Sequence, residues 1–491
     1  MPLSRPLGDS ELSYFLPSRA DGVNDMYLHL GFTAPTSLVN SERVALAWAI
    51  LRGRHPLLAS RVLMQPGKYD DVRFDYTPPP SPQHALKDAQ DALRTAHSPK
   101  DALIDSYLNG PRTLSNDRVS LLILSSPHYA PLTPPASPLA GPQVAPPHSP
   151  PSPDFTPDPE REFDLLICAA HFLGDGMALH AFANDFFSLL AAPAAGSPPD
   201  ANGKGPGTEN ENGAPLSDTM LHALLEREWH DRWGDTTQTT PTHTLNADAA
   251  LILPAPLESR LPPARSTLQR IAFDVEFKCA QDRLIGGHSF ARAPHASFRH
   301  TIVPTVSFDE DTTRRALRTC KAQGVSISHA LFALCNIAWA RVKSGREELP
   351  MMMYSALNLR PYLAPSPSNP SYWFLAVGYF NVGPRLPPPL VALKPDDTPT
   401  LARTPPPSAA LLGLSLLGNL DATYKHATYP RVVLHTLTTG SRQRVGAMLL
   451  FGYTFRGRLW LSLGYDEAGY EEGEGGGGGG CCRGCGEFLA R

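Results

Sequence analysis

Residues 163–176 read Phe-Asp-Leu-Leu-Ile-Cys-Ala-Ala-His-Phe-Leu-Gly-Asp-Gly, and this stretch decides the fold class. Phe163 to Ala169 is a short apolar run, the pattern of a strand buried on both faces. After His171 to Gly176 a second apolar pattern, Ala178 to Leu190, repeats at helical spacing and ends in Ala-Pro-Ala-Ala-Gly. The order is strand, tight turn, helix. A turn between two rigid elements can aim a side chain into a cleft, so His171 and Asp175 are candidate functional residues. The same spacing also fits a polar turn in which Asp175 only caps the helix and His171 is incidental.

The pattern continues outward in both directions. Asn40-Ser41 caps a helix carrying Val44, Ala47, Trp48 and Leu51, which must stop by His55-Pro56. Val72 to Tyr76 and Arg118 to Leu124 read as strands. Further on, Asp309 or Asp311 caps a helix that ends at Gly324, and Ser326 or Ser328 opens one with Leu331, Leu334, Ala338 and Val342 on one face. Met351 to Ser355, Val377 to Val382 and Leu459 to Tyr465 read as strands. Strand and helix alternate in both halves, which predicts an α/β protein of two mixed-sheet lobes.

Proline sets the boundaries. The chain holds 52 prolines in 491 residues, about twice ordinary usage, and they cluster. Residues 127–159 carry thirteen of them and cannot build a ladder or a helix. The expected map is a first lobe over 1–195 with 127–159 as a disordered insert, a linker over 196–215, and a second lobe over 216–470 with a Pro-rich insert at 384–407. A disordered tail, 471–491, rich in glycine and cysteine, follows. The tail's Cys482 and Cys485 stand in a Cys-x-x-Cys spacing, but a structural zinc site needs about four ligands and no histidine lies near. His288, His295 and His300 match no common zinc spacing. No metal is expected.

A net charge of −4 argues against nucleic acid or an anionic membrane surface as the main partner. No apolar run is long enough to span a membrane, the N-terminal residues lack a secretion-signal pattern, and Cys168, Cys279, Cys320 and Cys335 read as reduced, buried thiols. A cytoplasmic monomer is expected. Gly-x-Ser-x-Gly, His-Glu-x-x-His and the P-loop pattern are all missing.

His171 to Gly176 resembles the His-x-x-x-Asp-Gly motif of the chloramphenicol-acetyltransferase-like superfamily, which includes peptide-synthetase condensation domains and alcohol acetyltransferases. Ala47 to Leu58, with its Arg54-His55-Pro56-Leu57-Leu58 turn, resembles the early helix of that family. Asn358-Leu359-Arg360-Pro361, Gly378 to Val382 and Gly457 to Tyr470 resemble further elements in the same order, the middle one as found in fungal O-acetyltransferases of the trichothecene type. The resemblance implies two such lobes with an active site in a tunnel between them. It implies His171 as catalytic base and Asp175 as a structural residue paired with an arginine, for which Arg360 is the choice, with Gly176 closing the motif. Condensation domains usually carry a histidine where this chain has Ala170, which favours an alcohol acyltransferase.

The chemistry agrees with that implication. Acyl transfer from a thioester to a hydroxyl needs a base with a pKa near the operating pH, and histidine supplies one. The developing oxyanion needs preorganised donors, with the Gly174 to Gly176 backbone and the hydroxyls of Thr438, Thr439 and Ser441 as candidates. Asn381 is a candidate for holding the tunnel. The expected activity is O-acyl transfer, with acetyl the expected group, from acyl-CoA as co-substrate to a small-molecule alcohol or amine. The alternatives are a freestanding condensation-type enzyme using a carrier-bound acyl group, and a non-catalytic relative acting as a binding scaffold.

Overall fold

The structure is a computed structural model that describes residues 3–69, 71–126, 158–191, 215–234, 253–262, 266–282, 298–342, 353–363, 371–382 and 411–470. The stretch that opened the sequence reading is its organising element. The strand Glu160–Ala169 lies inside a five-stranded sheet, between Met26–Pro35 and Ser120–Ser125, both antiparallel to it. Beyond its exposed start at Glu160 to Glu162 the strand is paired on both edges and covered on both faces, which is why Phe163, Leu165, Leu166, Ile167 and Cys168 are all apolar and buried. Leu93–Ala96 closes one edge of the sheet and Val433–Ser441 the other.

Register puts the ends of these strands together. Ala169 pairs with Met26 and with Ser120, and Met26 pairs with Ser441. The chain therefore leaves the sheet into His171 beside Met26 and Ser441. The helix Gly176–Leu190 then folds back and packs against the helix Ser41–Arg54. In the latter, nine consecutive residues from Arg43 to Leu51 are buried, and Asn40 accepts the Arg43 N–H at 2.8 Å as its cap. The buried Arg43 guanidinium is held through Nε by the Leu190 carbonyl and through Nη1 by the Leu216 carbonyl and Asp218.

A second sheet runs in the order Val377–Val382, Met353–Asn358, Leu412–Asn419, Met448–Phe455, Arg458–Asp466, with Thr301–Ile302 and Thr305–Ser307 on the outer edge of the last strand. Pro304, which has no N–H to donate, separates those two short segments. A three-stranded sheet of Leu3–Pro6, Val72–Tyr76 and Arg61–Met64 completes the β structure. The mixed α/β class with two principal mixed sheets is as expected.

The expected division into 1–195 and 216–470 needs correction. Val433–Ser441 pairs with Met26–Pro35 from Thr33 to Met26, so late residues complete the first sheet. The helix Asp218–Trp233 packs on Ser41–Arg54, with Arg54 and Glu228 in an ion pair. One hydrophobic core holds Trp48, Phe182 and Phe187 together with Trp373, Tyr424, Tyr429 and Leu437. The physical reason is that Met26–Pro35 would otherwise present an unpaired edge. Of the expected linker only Pro215 is described, and of the 127–159 insert only Asp158 and Pro159. The 384–407 insert and the 471–491 tail lie outside the described residues, as do His288 and His295. Among the described cysteines, all free, Cys168 and Cys335 are buried, but Cys320 is half-buried and Cys279 exposed, against expectation. No helix of the described residues is long and apolar enough to cross a membrane.

Candidate active site

Ala170 donates its N–H to the Val119 carbonyl at 3.0 Å and starts a single 3₁₀ turn, His171–Leu173. Phe172 and Leu173 are buried and anchor the turn, while His171 is left half-buried at its surface. The His171 Nδ1 is buried and makes no hydrogen bond, which leaves Nε2 as the nitrogen presented to the cavity beside it. Burial pushes the His171 pKa below the ordinary histidine value of 6.5, an effect partly opposed by its own backbone carbonyl, by the Asp175 carboxylate and by the Gly174 backbone. Its imidazole lies on the ring of Tyr14, with centroids 4.2 Å apart and planes at 24°.

Asp175 turns away from the cavity's centre. Its Oδ1 accepts the N–H groups of Met177 and Ala178, capping the helix Gly176–Leu190. Arg360 Nη1 lies 2.8 Å from both Asp175 oxygens, and the Ala376 N–H donates to Oδ2 at 2.9 Å. The second terminal nitrogen of Arg360, Nη2, donates to the carbonyls of Tyr372 and Phe374. Arg360 follows the strand Met353–Asn358, so this pair ties the turn of the first sheet to the second.

The cavity has a volume of about 620 Å³ and opens between the two sheets. Its walls come from both: Tyr14, Met26, Met177 and Leu179 on one side, Tyr354, Val377, Tyr379, Leu416 and Phe451 on the other. The lining is mainly apolar and aromatic, with Ser441, Gln443 and Arg444 among its polar members.

The other expected site residues fall into two groups. Gly176, Thr439 and Ser441 line the cavity. The Thr439 hydroxyl is spent on the Tyr27 carbonyl at 3.1 Å, whereas the Ser441 Oγ accepts from Gln443 Nε2 and keeps its own O–H free to donate. Thr438 is excluded by the strand's two-residue period, which turns its side chain to the opposite face. Gly174 is excluded as a donor because its N–H already serves the His171 carbonyl at 3.3 Å. Gly174 is also tightly enclosed: an added Cβ would meet Trp373 Nε1 at 3.3 Å and the Ala178 Cβ at 3.4 Å. Asn381 pairs with Tyr354 on the neighbouring antiparallel strand, and its side chain lies outside the described residues.

Sequence reasoning missed Tyr14, Tyr354, Tyr379 and Arg444. Tyr14 sits on the helix Asp9–Ser18, whose start is marked by Gly8 with Glu11 three residues later. The Glu11 carboxylate accepts the Gly8 N–H at 2.8 Å, a spacing readable from sequence.

No family model matches the chain, and neither does any curated protein. Solved structures do. The trichothecene 15-O-acetyltransferase of Fusarium sporotrichioides superposes with a TM-score of 0.64 and 13% identity, over 100% of this chain and 95% of that one. The epimerization domain from the third module of tyrocidine synthetase B gives a TM-score of 0.54 and 12% identity, over 99% and 95%. The condensation domain of the Monacolin K polyketide synthase gives 0.51 and 11%, over 99% and 96%. The chain has the fold that these three structures share. At these identities the likeness establishes architecture, and function must be argued from the site. Within that fold, His171 opens onto the cavity between the sheets.

Proposed function

We propose that this chain is an acyltransferase that moves an acyl group, acetyl in the simplest case, from acyl-CoA to the hydroxyl of a small molecule, with His171 as general base. The observation that carries the reading is the His171 imidazole, with Nε2 open to a cavity shared by the two sheets. Nε2 takes the acceptor's proton as its oxygen attacks the thioester carbonyl carbon. The tetrahedral intermediate collapses, the carbon–sulfur bond breaks, and the leaving thiolate takes the proton back. No covalent bond to the enzyme forms, so no serine nucleophile is required. The Ser441 hydroxyl and the Gly176 N–H, at the positive end of its helix, are the donors available to the oxyanion. A mainly apolar lining suits an apolar alcohol, and Ala170, buried where condensation domains carry their first histidine, fits that choice.

The test is incubation with acetyl-CoA and a pooled library of alcohols and amines, reading free-thiol release and product mass. Esters are expected, and His171→Ala should lower the rate by about 10²–10⁴ at unchanged melting temperature. The acid limb of the rate profile should have its midpoint below 6.5, because burial keeps the base neutral to lower pH. Turnover by folded His171→Ala within threefold of the parent would remove His171 as the base.

A further inference from the structure

A histidine base usually has its second ring nitrogen held by a carboxylate or a carbonyl, which fixes the ring and supports the imidazolium. At His171 the backbone carbonyls of His171 and Gly174 lie near the ring and raise its pKa in part, but none makes a well-formed hydrogen bond to Nδ1. Asp175, the nearest candidate in sequence, has its oxygens occupied by Arg360 and by the N–H groups of Met177, Ala178 and Ala376. Nδ1 is buried with no hydrogen bond. The side chain stacked on the ring is Tyr14, 4.2 Å away between centroids and 24° from parallel.

Tyr14 is itself firmly held. Its helix, Asp9–Ser18, is anchored by the paired Arg5 and Glu11, whose nitrogen–oxygen distances are 2.7 and 2.8 Å. The next residue, Phe15, meets Phe172 edge-on at 5.3 Å, and Phe172 follows His171 directly. Helix and turn therefore pack as one unit, and the stack inherits their rigidity. The Tyr14 hydroxyl is buried and makes no hydrogen bond, so the ring is what this residue offers. An aromatic face carries negative charge density and attracts a cation within about 6 Å.

Resting on the reading of His171 as base, we propose that Tyr14 is its positioning residue. The ring fixes the imidazole with Nε2 toward the cavity and stabilises the imidazolium formed during turnover, adding to the weak support of the nearby carbonyls. Other ionisable groups nearby are accounted for: Asp175 is neutralised by Arg360 and Glu11 by Arg5, while Arg444 lines the same cavity.

The experiment titrates His171 in the full-length protein through its ring NMR signals, assigned with His171→Ala. The parent is compared with Tyr14→Leu, Tyr14→Phe and a variant with pentafluorophenylalanine at position 14, which keeps the shape but reverses the charge on the ring face. Thiol release from acetyl-CoA with the pooled alcohols is followed in parallel. Tyr14→Leu and the fluorinated variant should lower the His171 pKa by about half a unit. Turnover should fall about tenfold, with KM for acetyl-CoA within twofold of the parent, and Tyr14→Phe should restore both. An unchanged His171 titration in the folded fluorinated variant would overturn the proposal, as would a Tyr14→Phe variant as damaged as Tyr14→Leu. The titration needs no substrate, so it reads the stack even if an active His171→Ala variant has already sunk the base.

Discussion

The two principal sheets are built to different densities. In the first, Tyr27, Leu28, Leu30 and Phe32 are wholly buried, and a helix covers them with aromatic contacts such as Phe187 against Phe32, 5.1 Å apart and edge-on. In the second region, large apolar side chains remain open: Ile337 is 45% exposed, Phe380 46% and Tyr379 50%. The dense region carries His171 and Asp175, whereas the open one supplies most of the tyrosine, leucine and phenylalanine wall that faces them. Chemistry that tolerates little displacement sits where packing locks rotamers. Recognition of a substrate's bulk sits where side chains have room to adjust.

The largest effect should come from breaking the bolt between the regions. Asp175 and Arg360 join them through a pair whose side chains are 7% and 21% exposed. Asp175→Asn leaves the guanidinium facing a neutral amide, a change that costs about 3 kcal/mol when the charge is buried. The melting temperature should fall, Arg360→Ala should fall with it, and the double variant should lose much less than the sum. Strict additivity in that cycle would mean the regions are held by something else.

A smaller effect comes from protons at the same seam. His55 Nδ1 bonds Ser371 at 2.9 Å and His180 Nδ1 bonds the Tyr424 hydroxyl at 2.9 Å, both across the seam. Burial pushes the pKa of each down to about 3. In the unfolded chain both protonate near 6.5, so the unfolded state binds more protons between about 6.5 and 3. Their stabilisation is complete above 6.5 and is lost as pH falls, by up to about 1.4 kcal/mol per pH unit per group. Denaturant midpoints should decline from pH 6.5 to pH 4, and the double variant His55→Asn, His180→Asn should show a shallower slope. A level midpoint across that window in the parent would show that neither histidine is sealed from water.

The smallest effect tests the open side of the comparison. Ile337→Ala, on the helix Ile327–Val342, should change stability by only about 0.5 kcal/mol, as at other open surface positions. A loss above about 2 kcal/mol by denaturant titration would show that this face is covered, and the contrast in density would disappear.

Local pattern made much of this legible. The apolar run ending at Ala169, the cap at Asn40, the cap at Asp309 and the strand Val377–Val382 all follow from side chains within a few residues of one another. What the pattern could not carry was partnership at a distance. The residues of Val433–Ser441 look the same whichever sheet they join, and only the unpaired edge of Met26–Pro35 decides. The site shows the same limit. His171 and Asp175 announce themselves by spacing, while Tyr14 reaches His171 only because Phe15 and Phe172 bring a distant helix against the turn. The hydroxyl candidates required strand phase and a hydrogen-bond inventory to separate Ser441 from Thr438 and Thr439.

The late edge strand also has a consequence for how the molecule is made. Residues 26–33 wait for partners some four hundred positions downstream. A ribosome adding about 5–20 residues per second exposes that edge for tens of seconds before Val433 emerges. During that interval the nascent chain offers a row of free backbone donors and acceptors to any neighbouring strand. Loop closure over such a separation makes this a slow step of assembly. Chaperone protection during synthesis should therefore raise the folded yield, and a gene fragment ending near residue 195 should yield inclusion bodies rather than a free-standing half.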